Sequence, residues 1–274
     1  MNDDLRVTDA ASTFKRNYLV AADLVAADLV EAKQGRRISV CLPARDEEST
    51  VGAIVKSTHD SLTSIGGGLD LVDEILVIDD NSIDATADVA ERAGARVIAS
   101  TGTNPGKGQA MRVAMDNATG DIVCFLDADV ESFGPHFVVG LVAPLLLYTG
   151  VALVKGFYER PIYGQPTGGG RVTELMARPV LELLFPTLSG IRQPLAGETA
   201  APRSVFEKVG LADGYGVELA LLIDIAESFG ADAIAQVDLG VRSHRNRPLE
   251  ELRLQAVEIL HVALSRAGIP PAGG

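Results

Sequence analysis

The chain has 274 residues, of which 47% are hydrophobic and 22% charged, a globular composition that excludes a disordered protein. Its formal net charge of −13 argues against nucleic acid as a partner, because binding a phosphate backbone depends on a basic surface that releases counterions. An anionic small substrate therefore needs a local basic cluster or a metal ion.

A chain of this length is expected to form one elaborated α/β domain rather than two equal ones. Cys41 and Cys124 each sit in an apolar predicted strand, where a thiol acts as a small hydrophobe. No disulfide framework is expected, and a cytoplasmic location fits. The opening Met1-Asn2-Asp3-Asp4 lacks the basic region of a secretory signal. Residues 1–12 read as a tail. Residues 18–30 repeat a five-residue unit, Leu-Val-Ala-Ala-Asp, and their Ala and Leu content predicts a surface helix without chemistry, although five does not match the helical period.

Residues 38–42 form the first predicted strand, which is expected to break at Pro43 for want of an N–H. The acidic turn Ala44-Arg45-Asp46-Glu47-Glu48 leads to a cap at Ser49 or Thr50 and an amphipathic helix to about Ile65. A second apolar strand, 74–79, stops at Asp79-Asp80, and a third covers 96–99. Next comes Asn104-Pro105-Gly106-Lys107-Gly108, ahead of a helix over 109–118. Glycines on both sides of a lysine at a helix start let backbone and ammonium approach a phosphate. Taken alone, the stretch reads rather as an exposed glycine-rich turn, and its spacing is not that of a Walker A loop.

Residues 121–126 read as a buried central strand ending in Asp127-Ala128-Asp129. Its carboxylates then emerge at the carboxyl edge of the sheet, where open α/β sheets bind ligands. While strand geometry lasts they point the same way, so one could take a metal and the other turn toward a sugar or ribose. The alternative is a loop start that caps the helix near Pro135. The alternation of strands and helices predicts a doubly wound, mostly parallel sheet. A dinucleotide-binding domain is disfavoured, because Pro43-Ala-Arg-Asp-Glu stands where G-x-G-x-x-G is required.

Residues 137–154 are almost uncharged, but Gly140, Pro144 and Thr149-Gly150 divide them into helix, turn and a strand over 151–158 rather than a membrane span. A glycine-rich loop, 164–170, then delivers Arg171-Val172-Thr173-Glu174 to a helix start. Free N–H groups, a guanidinium and a hydroxyl there suit a phosphate or carboxylate; a connection capped at Thr173 is the alternative. Glu198 and Glu218 each follow small residues. Residues 236–247 read as an edge strand leaving a basic turn, whose arginines favour a neutral, metal-binding imidazole at His244; a solvated surface turn is the alternative. Residues 248–267 complete the chain as an amphipathic helix.

The ordered set of Pro43-Ala-Arg-Asp-Glu-Glu48, Gly106-Lys107-Gly108, Asp127-Ala128-Asp129, Gly168-Gly-Gly-Arg-Val-Thr-Glu-Leu175, Gly214-Tyr-Gly-Val-Glu218 and Val241-Arg-Ser-His-Arg-Asn-Arg-Pro248 resembles the glucosyl-3-phosphoglycerate synthase family. These are retaining glycosyltransferases of GT-A fold, with mannosyl-3-phosphoglycerate synthase relatives. The resemblance implies that Pro43, Ala44, Glu47, Lys107, Asp127, Ala128 and Tyr215 hold the nucleotide sugar. It implies Asp129 and His244 as ligands of Mg²⁺ or Mn²⁺, and Gly170, Arg171, Thr173 and Asn246 as acceptor-binding residues. Glu218, Asp127 and Arg242 would act around the transferred sugar. The family usually has Asp-Ser-Asp in place of Asp127-Ala128-Asp129, and Leu-Asn in place of Arg45-Asp46.

The implied reaction moves glucose from UDP-glucose to 3-phosphoglycerate, with the metal neutralising charge on the departing diphosphate. Mannosyl transfer from GDP-mannose is the near alternative, and a sugar-phosphate nucleotidyltransferase is one from another class. The expected organisation is a tail and helix over 1–35, a nucleotide-sugar half over 36–133 and an acceptor half over 134–274 of the same domain. The resemblance also makes a homodimer an expectation.

Overall fold

The computed structural model describes residues 18–20, 26–100, 106–159, 161–162, 165–168, 170–242 and 249–269. In chain order its elements are β1 (Tyr18–Val20), α1 (Ala26–Lys33), β2 (Ile38–Ala44), α2 (Val51–Leu62), β3 (Glu74–Asp79), α3 (Thr86–Arg92) and β4 (Arg96–Ala99). There follow α4 (Lys107–Asn117), β5 (Ile122–Phe125), α5 (His136–Leu147), β6 (Leu153–Glu159), β7 (Pro161–Ile162) and β8 (Gln165–Gly168). The chain continues through a π-helix (Thr173–Ala177) into α6 (Arg178–Leu184), then β9 (Thr199–Pro202), α7 (Arg203–Val209), α8 (Val217–Phe229), β10 (Ile234–Val241) and α9 (Leu249–Arg266).

The strands form an eight-stranded sheet in the order β1-β10-β6-β9-β5-β2-β3-β4, with β7 and β8 as a separate antiparallel ribbon. The pairings are parallel except where β9 meets β5 and β6, against which it runs antiparallel. Helices cover both faces, because the central strands are apolar on both sides. In β5, Ile122 and Cys124 join the core under α2 and α5, while Val123 and Phe125 join the core under α4 and α8. That is the period-two alternation of a buried strand with no polar face.

Four expectations need correction. The repeat over 18–30 is not one helix: Tyr18–Val20 pairs in parallel with β10 at Gln236, Val237 and Asp238, and the helix begins only at Ala26. Long-range pairing has overridden the local helix propensity. β10 is consequently not an edge strand, since β1 covers its outer side. Pro43 does not break β2, which runs to Ala44 opposite Asp79. The missing N–H of Pro43 faces the β5 side, where pairing has already ended at Cys41–Phe125, so no ladder bond is lost. The stretch 164–170 is in part a strand, β8, rather than open loop.

The expected tail, 1–12, and the basic turn, 243–248, lie outside the described residues. Among the described residues no helix is long and apolar enough to cross a membrane. Residues 137–154 divide as expected into α5 and β6.

Candidate active site

Parallel strands deliver their last residues to one edge of a sheet, and an antiparallel neighbour delivers its first residues there. β2 ends at Pro43-Ala44, β3 at Asp79, β6 at Tyr158-Glu159 and β10 just before Arg242, while β5 runs on into Asp127-Ala128-Asp129. Because β9 runs against them, Gly197-Glu198 immediately before it reaches the same edge. Its connection to β6 persists there, with the Gly156 N–H donating to the Glu198 carbonyl at 2.9 Å.

A pocket of about 390 Å³ opens at this edge. It brings together Pro43, Ala44, Glu47, Lys107, Asp127, Ala128, Asp129, Gly170, Arg171, Thr173, Tyr215, Glu218 and Arg242 from the sequence-based set. His244 and Asn246 lie outside the described residues. Arg45, Asp80 and Leu195 line the pocket as well, with the α9 residues Leu252, Gln255 and Ile259.

Local geometry explains these placements. Thr50, directly before α2, donates through Oγ1 to the Ala128 carbonyl at 2.6 Å, tying the acidic turn to the Asp-Ala-Asp turn. Lys107 opens α4 behind Gly106, whose φ of 149° favours glycine. Gly108 packs so closely that a Cβ would stand 2.0 Å from the Ala212 carbonyl. The 211–213 turn is held there by Arg112, which donates to the Leu211 carbonyl at 2.8 Å and pairs with Asp213. Tyr215 is fixed through its N–H, which donates to Glu258 Oε2 of α9 at 2.9 Å.

The charged side chains interlock. Lys107 Nζ lies 2.6 Å from Asp127 Oδ1 and 2.5 Å from Glu218 Oε1. Arg242, 3% exposed, reaches Asp127 Oδ2 at 2.9 Å and Glu198 Oε1 at 2.8 Å through Nη1, and Asp129 Oδ1 at 2.5 Å through Nη2. Nη1 also donates to the Tyr158 hydroxyl at 2.5 Å. Burial raises the Asp127 carboxyl, but the Lys107 ammonium and the Arg242 guanidinium outweigh it and hold Asp127 well below the usual carboxylate range. Burial likewise opposes the charge on Lys107, yet Asp127 and Glu218 keep it an ammonium. Burial pushes the Glu198 carboxyl up, and Arg242 pulls it partway back.

Glu198, Gly197, Tyr158 and Lys155 were not expected at this site. Lys155, 1% exposed within β6, donates to the Ala196 carbonyl and so holds the 195–198 turn against the pocket. A lysine inside an otherwise apolar strand run was the available signal. Gly197 presses on the ion pairs: a Cβ there would lie 1.9 Å from Asp127 Oδ1 and 2.4 Å from Lys107 Nζ. Gly197→Ala is therefore expected to lower kcat by about tenfold or more, since small displacements of reacting groups carry large rate effects. Steady-state kinetics at wild-type values would contradict this.

Burial pulls the Lys155 ammonium down from 10.5 to about 8; Glu218 opposes that effect and Lys107 adds to it. Below pH 8 the lysine is charged in folded and unfolded chains alike, and folding bears the cost of burying it. Between pH 8 and 10.5 the unfolded chain holds a proton the folded one has released, so this group's contribution to stability rises with pH. Denaturation curves should show the wild type gaining on Lys155→Met across that window. A constant difference between the two would refute it.

The residues present suit a hard divalent cation. The Asp129 carboxylate opens onto the pocket beside Asp127, and Mg²⁺ or Mn²⁺ is commonly bound through one or two carboxylates with substrate phosphates and water completing the shell. Among the described residues, no group of three or more His, Cys, Asp or Glu side chains could hold an ion unaided. Asp129 would hold the ion in this site.

Comparison with known proteins gives a consistent answer. The model of the Glycosyl transferase family 2 matches residues 39–156. Glucosyl-3-phosphoglycerate synthase of Mycolicibacterium paratuberculosis is 48% identical over 260 residues, covering 90% of this chain and 77% of the relative. That of Petrotoga mobilis is 45% identical over 247 residues, covering 86% and 75%. The crystal structure of glucosyl-3-phosphoglycerate synthase from Mycobacterium tuberculosis in complex with Mn²⁺, UDP-glucose and phosphoglyceric acid matches with a TM-score of 0.82 at 46% identity, covering 91% of this chain and 86% of that one. With a mostly parallel sheet that gathers paired aspartates, a lysine and an arginine at its carboxyl edge, the chain belongs to the glucosyl-3-phosphoglycerate synthase family.

Proposed function

We propose that this chain is a retaining glucosyltransferase that moves glucose from UDP-glucose to 3-phospho-D-glycerate, giving glucosyl-3-phosphoglycerate and UDP. The observation carrying this reading is the pocket itself, where Asp127, Asp129, Lys107, Glu218 and Arg242 converge in a chain 48% identical to a glucosyl-3-phosphoglycerate synthase. Mg²⁺ or Mn²⁺, when bound, acts as a Lewis acid toward the departing diphosphate.

The side chains divide the remaining work. Pro43, Ala44 and Glu47, at the end of β2 and in its turn, line the pocket and hold the nucleotide in this reading. Asp127, kept ionised by Lys107 and Arg242, accepts hydrogen bonds from the donor sugar. Glu218, at the start of α8 and clamped by Lys107, positions the sugar or the acceptor hydroxyl. Gly170, Arg171 and Thr173, at the start of the helical segment after β8, hold the acceptor's phosphate and carboxylate together with Asn246. His244, which lies outside the described residues, would be the second ligand of the metal. In the proposed same-face displacement, the leaving diphosphate helps take the proton of the acceptor hydroxyl, and no protein nucleophile is needed. The halves 36–133 and 134–274 supply mainly donor and acceptor contacts respectively, within one domain. A homodimer and a cytoplasmic location, in keeping with the buried free thiols of Cys41 and Cys124, complete the proposal.

The test is incubation with Mg²⁺, 3-phosphoglycerate and, separately, UDP-glucose or GDP-mannose. Release of UDP with a glucosylated product is expected. Preference for GDP-mannose would make it a mannosyltransferase, and release of pyrophosphate in a parallel incubation with a nucleoside triphosphate and a sugar phosphate would place it in another class. Arg171→Ala is expected to raise the apparent KM for 3-phosphoglycerate by about tenfold or more while leaving that for UDP-glucose within about twofold, because lost uniform binding appears in KM. Equal rises for both substrates would place Arg171 elsewhere.

A further inference from the structure

Arg242 is surrounded by more negative charge than it needs. Its guanidinium meets Asp127, Asp129 and Glu198, while Asp127 is already paired with Lys107. Of these carboxylates only Glu198 is wholly buried, at 0% exposure, and it does not line the pocket. Its Oε1 takes the Arg242 bond, and its Oε2 has no hydrogen-bond partner among the described residues. A buried carboxylate with one oxygen unsatisfied is costly, so packing alone is a poor reason for it.

We propose that Glu198 is a positioning residue for the reaction: it supplies the counter-charge of Arg242 and so leaves the Asp129 carboxylate free to take a divalent cation. The inference rests on the metal-dependent reading of the site. Arg242 Nη2 sits on Asp129 Oδ1, the group the ion must share or claim. With Glu198 anionic, the guanidinium is balanced from behind and Asp129 can turn to the ion at little electrostatic cost. With Glu198 neutral, Asp127 and Asp129 become the balancing charges, and the ion competes with a fixed internal cation. Tyr158, whose hydroxyl accepts from Arg242 Nη1, holds the guanidinium in place but adds no charge.

The experiment measures Mn²⁺ affinity by electron paramagnetic resonance, with UDP present and without turnover. Glu198→Gln keeps the shape and removes the charge, whereas Glu198→Asp keeps the charge. Glu198→Gln should raise the Mn²⁺ dissociation constant by about tenfold or more, and Glu198→Asp by less than about threefold, as expected where charge rather than shape carries the effect. Adding Arg242→Met to Glu198→Gln should restore wild-type affinity or better, because the competing cation has gone. Unchanged affinity in Glu198→Gln, or equal losses in Glu198→Gln and Glu198→Asp, would overturn the proposal. If circular dichroism shows that Glu198→Gln does not fold, the double variant decides: near-wild-type affinity supports the proposal, and weak affinity in a folded double variant overturns it. Wild-type protein that binds no Mn²⁺ would overturn the metal reading, and this proposal with it.

Discussion

Asp129→Ala is expected to lower kcat by about a thousandfold or more, the scale on which removal of a principal electrostatic stabiliser acts. Asp129 ends the central strand's run into the pocket and is the described carboxylate best placed to bind an ion, being more open than Asp127, with side-chain exposures of 28% and 21%. Its loss leaves Arg242 still balanced by Glu198 and Asp127, so the fold should survive and the defect should appear in turnover rather than stability. Steady-state rates across a Mn²⁺ titration, beside a thermal melt, separate the two. Full activity of the variant, or of chelator-treated wild type, would remove Asp129 from the role given to it.

Lys107→Met should have the second largest effect, on activity and stability together. Lys107 is the cation shared by Asp127 and Glu218, and Glu218 is buried with no other ion pair among the described residues. Removing the ammonium leaves one carboxylate buried and unpaired, which costs roughly 3 kcal/mol or more. Asp127 retains Arg242 but loses the orientation Lys107 gives it in the pocket, so kcat/KM should fall by about a hundredfold or more. Denaturant unfolding and steady-state kinetics test both parts. Adding Glu218→Gln to Lys107→Met should recover much of the stability and none of the rate. Wild-type stability in the single variant would show that the ion triad is not what fixes this corner.

The strand-end part of the site was legible in the sequence because it obeys a local rule. Apolar runs of strand length that lead into polar or acidic turns, after Ala44, at Asp79 and at Asp127, mark the carboxyl edge of a parallel sheet wherever the strands end up in order. The glycines around Lys107 were also readable as a tight approach, although the helix opens at Lys107 and not at 109. Glu218 was marked only by the small residues ahead of it, and its helix start was not foreseen. The layer behind the pocket was hidden because it depends on direction. Glu198 reaches Arg242 only because β9 runs antiparallel between β5 and β6, and nothing in Thr199–Pro202 encodes that orientation. Lys155 lies in a strand run that was readable, but its role depends on the Ala196 carbonyl, which only the folded chain brings to it.

β1 failed for a related reason. Tyr18 and Val20 suit a strand, but three residues beside an Ala- and Leu-rich repeat of helix propensity carry too little local signal, and the pairing with β10 decides. The Pro43 expectation erred by applying a sound rule on the wrong side of the strand, where no neighbour required the N–H. Arg171 and Thr173, proposed to bind the acceptor, were singled out by their glycine-rich approach and line the pocket, although the helical segment beginning at Thr173 is a π-turn.

The most direct measurement is an anomalous-scattering map from crystals grown with Mn²⁺ and UDP. The account predicts a manganese peak about 2.0–2.3 Å from an Asp129 carboxylate oxygen, with diphosphate oxygens in the same coordination shell. A peak remote from Asp129, or UDP bound in the pocket with no metal beside it, would contradict it.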